Sequence, residues 1–317
     1  MKELILQKLK EIEKEHNIRI LLAVESGSRA WGFASPDSDY DVRFIYVRPK
    51  VDYLRLDEVR DVIELPINDE LDINGWDLQK TLRLLYRSNP TLFEWFSSPI
   101  VYLETPFASL LRRIMSEYFS QKKSLYHYIS MAEGNYREYL KGDMVKAKKY
   151  FYVLRPVLAC RWILDRGTQP PMKFTELAGS QLPLELAGEV ERLLKIKMES
   201  PEIMEIPRVA VLNDFLDEQI AQIKARIATL PEERNGGWDK LNGLFLSAID
   251  VRMFYQCTEE GESEECLRER IVLDKPVECY HCGAMIPCGE AAKIITLAGD
   301  CYIMHNSCAD KGCYMRY

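Results

Sequence analysis

Gly27-Ser28, ten further residues, and then Asp39-Tyr40-Asp41 leading into an apolar, β-branched stretch is the pattern that most restricts this chain. Residues i and i+2 of a strand project from the same face, so a strand over 39–47 sets the Asp39 and Asp41 carboxylates side by side. Two such carboxylates repel one another unless a cation neutralises them. A strand ending at Gly27-Ser28 can turn sharply because glycine has no Cβ. It can then offer backbone N–H groups and a hydroxyl to phosphate at the start of a short helix. The pattern asks for a phosphate-cradling turn beside an acidic, cation-holding sheet face.

Periodicity supplies the elements around it. Leu4, Ile5, Leu9 and Ile12 stand at helical spacing, and 18–24 is an apolar run that reads as a buried strand. Further strands are expected over 59–65 and 70–74, and Asp77 reads as the N-cap of a helix over 78–87 that stops before Asn89-Pro90. Beyond Pro106 the pattern turns to helices over 107–131, 134–141, 143–166, 182–198, 208–229 and 238–254, with Pro156 expected to kink or break the third. The fold class this predicts is α+β: a mixed sheet with helices, then a helical region.

Asp72, in Glu70-Leu71-Asp72-Ile73, adds a third carboxylate if its strand lies beside that of Asp41. Magnesium or manganese, held by a few carboxylates and substrate phosphates, is the natural occupant of such a cluster. Two ions about 4 Å apart stabilise both the entering and the leaving oxygen of an in-line displacement at phosphorus. The reaction implied is nucleotidyl transfer from an NTP. Asp39 and Asp41 would bind both ions, and Asp72 the one that activates the incoming hydroxyl. Asp77 is a rival for the third place but already has a plain role as a helix cap. Arg43 points to the side of the acids and can orient them; Arg29 can meet phosphate, Glu25 or a site carboxylate.

These residues resemble the DNA polymerase beta nucleotidyltransferase superfamily. More narrowly, GSRAWGFASPDSDYDVRFIYV, then LDINGWDLQKTLRLLYRSNPTLFEWFSSPIVY, then KAKKYFYVLRPVLACRWIL with PPMKF are similar to the YcgL or RlaP-type nucleotidyltransferases, over roughly residues 15–250. The resemblance implies an active-site sheet, a helical substrate-binding domain, an RNA end as acceptor and an RNA ligase or other repair enzyme as partner.

A net charge of -7 argues against non-specific adhesion to nucleic acid, but 141–166 carries seven Lys or Arg against two Asp. Lys148, Tyr152 and Arg155 fall on one helical face there and can clamp nucleotide phosphates and stack on a base. Transfer to a small molecule or protein, and a non-catalytic nucleotide-sensing scaffold, are the competing readings. Intact Asp39 and Asp41 weigh against the scaffold.

The cysteines cluster between Cys257 and Cys313. Cys279-x2-Cys282 and His305-x2-Cys308, 22 residues apart, are two chelating pairs suited to a structural, tetrahedral zinc site. Cys288, Cys301 or Cys313 could replace a ligand. The acidic TEEGESEE stretch reads as a linker. The expected division is a catalytic domain over 1–105, a helical substrate-binding domain over 106–256, a linker over 257–275 and a zinc-binding unit over 276–317. No apolar run reaches the roughly 20 residues that span a bilayer, and the N-terminal helix is charged, so a cytoplasmic protein without a membrane partner is expected.

Overall fold

The computed structural model describes residues 1–65, 70–199, 204–231, 236–250, 268–272, 277–279, 285–287, 291–297 and 300–305. The chain opens with α1 (Lys2–His16), β1 (Arg19–Glu25), α2 (Gly27–Trp31), β2 (Tyr40–Val47), α3 (Lys50–Tyr53), β3 (Val62–Glu64), β4 (Leu71–Asp77), α4 (Leu78–Tyr86), α5 (Pro90–Phe96) and β5 (Val101–Glu104). Five of these strands form one mixed sheet in the order β3-β4-β2-β1-β5, with β2 and β4 parallel and the other pairs antiparallel.

Alternation along β2 decides what the sheet presents. Val42, Phe44 and Tyr46 join Ile73 of β4 and Ile5, Leu9 and Ile12 of α1 in one buried cluster. Asp41 and Arg43 therefore face the other way. So does Asp72, the register partner of Asp41 on β4. Asp77 caps α4 as expected, its carboxylate accepting from the Gln79 N–H at 2.7 Å.

The helical part runs through α6 (Pro106–Ile114), α7 (Gln121–Tyr139), β6 (Met144–Lys146), α8 (Ala147–Arg166), α9 (Phe174–Gln181), α10 (Leu184–Glu199), β7 (Glu205–Pro207), α11 (Ala210–Ala228) and α12 (Trp238–Asp250). The break expected after residue 131 falls earlier. Ser120, whose hydroxyl accepts from the Lys123 N–H, starts α7, and that helix runs straight through Gly134. A glycine inside a helix costs only about 1 kcal/mol, less than neighbouring packing supplies. Met144–Lys146, expected as helix, is a strand paired with β7.

The chain neither breaks nor leaves the helix at Pro156, which is buried inside α8. Proline has no N–H to give the carbonyl four residues back. The Asn135 side chain of α7 donates to that carbonyl, on Tyr152, at 3.4 Å. Tertiary packing thus supplies a donor that sequence periodicity could not foresee.

Residues 1–48 and 55–245 form one compact unit, and 49–54 with 246–317 form a second. The second holds β8 (Arg268–Val272), β9 (Val277–Glu278), β10 (Met285–Ile286), β11 (Ala291–Leu297) and β12 (Asp300–His305), with β11 central between β8 and β12. β8 thus occupies residues that composition had placed in the linker. Of the expected zinc ligands, Cys279 is buried and His305 ends β12; Cys282 and Cys308 lie outside the described residues, as do Cys288 and Cys313. No helix among the described residues is long and apolar enough to cross a membrane.

Gly75 on β4 is the register partner of Phe44, and a Cβ there would stand 2.2 Å from the Phe44 ring. Gly75→Ala is expected to destabilise the chain by about 1–3 kcal/mol through overpacking, read as a lower urea midpoint, with Phe44→Leu recovering part of the loss. An unchanged midpoint would show that the sheet yields freely at this point.

Candidate active site

The site is built where β1 turns into α2. Gly27 has a φ of 57°, in the left-handed region, and a Cβ on it would fall 1.9 Å from Asp41 Oδ2. No other residue type meets both demands. The turn closes on β2 through the Ser26 N–H, which donates to the Asp41 carbonyl at 2.8 Å. Ser28 is half-buried, and its hydroxyl has no hydrogen-bond partner among the described residues.

Asp41 sits on β2 with its N–H donating to Glu25 Oε1 at 2.8 Å. Arg43, two residues on, donates from Nη2 to Asp41 Oδ1 at 2.9 Å and to Asp72 Oδ2 at 2.7 Å. Its Nη1 donates to the Asp72 carbonyl at 2.9 Å and so fixes the fork to the strand itself. The expected orienting role of Arg43 is what the geometry displays. Burial pushes the Asp41 carboxyl above its ordinary value; Arg43 opposes that rise, while the charges of Asp72 and Asp39 add to it. Asp39 lies one residue before β2, exposed, with no side-chain partner among the described residues.

Arg29 departs from its expected phosphate role. Its guanidinium donates to the carbonyls of Ser38 at 2.6 Å and Asp39 at 3.1 Å, and lies 3.7 Å from the Tyr40 ring centroid. It ties the two ends of the 26–39 loop together. Arg155 departs further. It is 4% exposed, pairs with Glu94 at 2.9 Å and lies 4.6 Å from the Trp31 ring, so its charge is spent inside the protein. Burial follows from its place on α8, where the neighbouring Leu154, Pro156 and Val157 are all in the core. Lys148 and Tyr152 are only half-buried, and the Tyr152 ring meets Trp31 of α2 edge-on at 6.4 Å. Of the three expected clamp residues, Tyr152 is thereby shown against α2.

Sequence reasoning missed the supporting roles of two residues, Glu25 and Lys197. Glu25 is fully buried, accepts from the Tyr102 hydroxyl as well as from Asp41, and is pushed up by burial. The available signal was an acid closing an apolar strand. Lys197, 6% exposed on α10, bonds Ser35 Oγ at 3.1 Å and Ser38 Oγ at 3.2 Å, bracing the loop that delivers Asp39. Its sequence separation gave no signal.

Among the described residues no three His, Cys, Asp or Glu side chains gather as a metal site, and the cation shared by Asp41 and Asp72 is the Arg43 guanidinium. The donor set nevertheless suits a hard divalent cation, being carboxylate oxygen throughout, with Asp39 unpaired among the described residues and the ionisation of Asp41 opposed first by burial and then by the charges of Asp72 and Asp39.

The chain has relatives among known proteins. The Bacillus subtilis (strain 168) protein YcgL is 49% identical over 252 residues, covering 79% of this chain and 97% of that protein. A nucleotidyltransferase-like protein from Exiguobacterium sibiricum 255-15 aligns over 77% of this chain and 78% of its own at 13% identity and a TM-score of 0.29, too loose a likeness to argue from. Residues 1–247 match the family described as RlaP, the RNA repair pathway DNA polymerase beta family, and the chain belongs to it.

Proposed function

We propose that the chain transfers a nucleotide from an NTP to a hydroxyl, with an RNA end as the acceptor. The observation that carries the reading is the pairing of Asp41 with Asp72 on parallel neighbouring strands, against a turn whose Gly27 lets Asp41 approach its backbone. Membership of a polymerase beta family with an RNA-repair description supports the acceptor class.

In this reading Gly27 and Ser28 receive the triphosphate, the Ser28 hydroxyl being without a partner among the described residues. Lys148 supplies positive charge, and Tyr152 an aromatic face for the base. Asp39, Asp41 and Asp72 would hold magnesium or manganese, which when bound supplies charge stabilisation to the phosphoryl oxygens. Arg43 fixes the separation of Asp41 and Asp72, and Glu25 holds the Asp41 backbone in register. The acceptor oxygen forms a new bond to the α-phosphorus, the bond to pyrophosphate breaks, and the hydroxyl proton passes to Asp72.

The setting is cytoplasmic, with an RNA ligase or other repair enzyme as the natural partner. Cys279, Cys282, His305 and Cys308 would hold a structural zinc ion in the second unit. Metal analysis of the purified chain is expected to find one zinc per chain and its loss in Cys279→Ser; a zinc-free wild type would end that part of the proposal.

The main reading is tested by incubating each α-labelled NTP with magnesium and a pool of RNA ends. Label is expected on RNA with the wild type, falling about a hundredfold or more when Asp39 and Asp41 are both replaced by alanine. Equal labelling by that variant would contradict the site. No labelling of RNA by either, with labelling of a small molecule or protein, would replace the acceptor.

A further inference from the structure

The helical region carries a groove of about 610 Å3 where α8, α9 and α11 meet. Leu164 and Ile223 are its apolar lining, and the other lining residues are polar or charged, in a place where three packed helices would be expected to bury apolar side chains. Gln181 of α9 is 7% exposed and Gln219 of α11 is 8% exposed. Arg161 of α8 and Arg226 of α11 also line it.

The charge balance is unusual. Arg161 is half-buried, and among the described residues it has no carboxylate partner. Its Nη1 donates to the neutral amide oxygen of Gln219 at 2.6 Å, its guanidinium lies 5.9 Å from the Phe215 ring, and its Nε is buried with no acceptor among the described residues. Arg226 likewise makes no ion pair among the described residues. The acid lining the groove, Asp165, is paired with Arg166 at 3.5 Å and accepts from the amide of Gln181, also a lining residue, at 3.4 Å, so its charge is met by groups other than Arg161 and Arg226. A guanidinium withdrawn from water without a counter-ion is costly, and a bound anion removes that cost.

We propose that this groove binds a phosphate-bearing ligand of nucleotide size, either a free nucleotide or one unit of a strand. Arg161 and Arg226 take the phosphate oxygens, and the buried amides border the ligand's polar edges. Guanidinium forks suit phosphate, and the volume lies in the ordinary range for small-ligand pockets. Arg161 and Arg226 belong to none of the groups assigned above to nucleotidyl transfer, so the groove stands independently of that reading.

The test is equilibrium binding of AMP and of a short single-stranded oligoribonucleotide to the full chain, with divalent cations chelated. Arg161→Gln and Arg226→Gln are each expected to weaken binding about tenfold or more. A variant with Asp39 and Asp41 both changed to asparagine is expected to bind as the wild type does. Arg226 is exposed, so Arg226→Gln should keep the wild-type melting temperature and isolates the binding effect. Tighter binding of AMP marks a free nucleotide as the ligand, and tighter binding of the oligoribonucleotide marks a strand. Unchanged affinity for both probes in the arginine variants, or loss confined to the aspartate variant, overturns the proposal.

Discussion

Repulsion among carboxylates is the constraint around which this structure is arranged. Parallel pairing of β2 with β4 forces Asp41 and Asp72 onto one face of the sheet, and burial raises the cost of charging Asp41 further. The protein meets that cost with a fixed cation of its own. Arg43 bonds both carboxylates with one nitrogen and the Asp72 carbonyl with the other, so its position is set by the strand as much as by charge. Asp39 remains outside this pair, exposed at the mouth of the strand.

The loop that completes the site is held from the helical side. Phe33, 1% exposed, leaves the 26–39 loop to pack on Phe151 at 5.1 Å and Phe174 at 5.6 Å, within the core of the helical region. Lys197 reaches the same loop through two serine hydroxyls. Arg155 ties α8 to Glu94 of α5, on which the Tyr128 hydroxyl also converges at 2.8 Å. Sheet and helices consequently form one unit, and a change in helix packing will be felt at Asp39.

The sequence exposed those parts that depend on local chemistry. Alternation placed Asp41, Arg43 and Asp72 on one face, Asp77 announced a helix cap, and Gly27 marked the tight turn, because each rests on neighbours within a few residues. It misled where the deciding partner is remote. Arg155 reads as a member of an exposed basic face, and only the docking of α8 against α5 shows it buried on Glu94. Arg29 reads as a phosphate ligand, yet its acceptors are carbonyls nine and ten residues away. Pro156 reads as a helix breaker, and the Asn135 amide that meets the orphaned carbonyl lies on another helix. The pairing of Asp41 with Asp72 was legible; the charge that neutralises it was only partly so.

The central claim is that Asp39, Asp41 and Asp72 with the Gly27-Ser28 turn form a cation and triphosphate site. It is tested most directly by the crystal structure of the chain with manganese and a non-hydrolysable NTP, read by the anomalous signal of the metal. The account predicts manganese on the Asp39 and Asp41 carboxylates with the triphosphate against Gly27 and Ser28. Manganese and nucleotide bound together at any other place in the chain would contradict it.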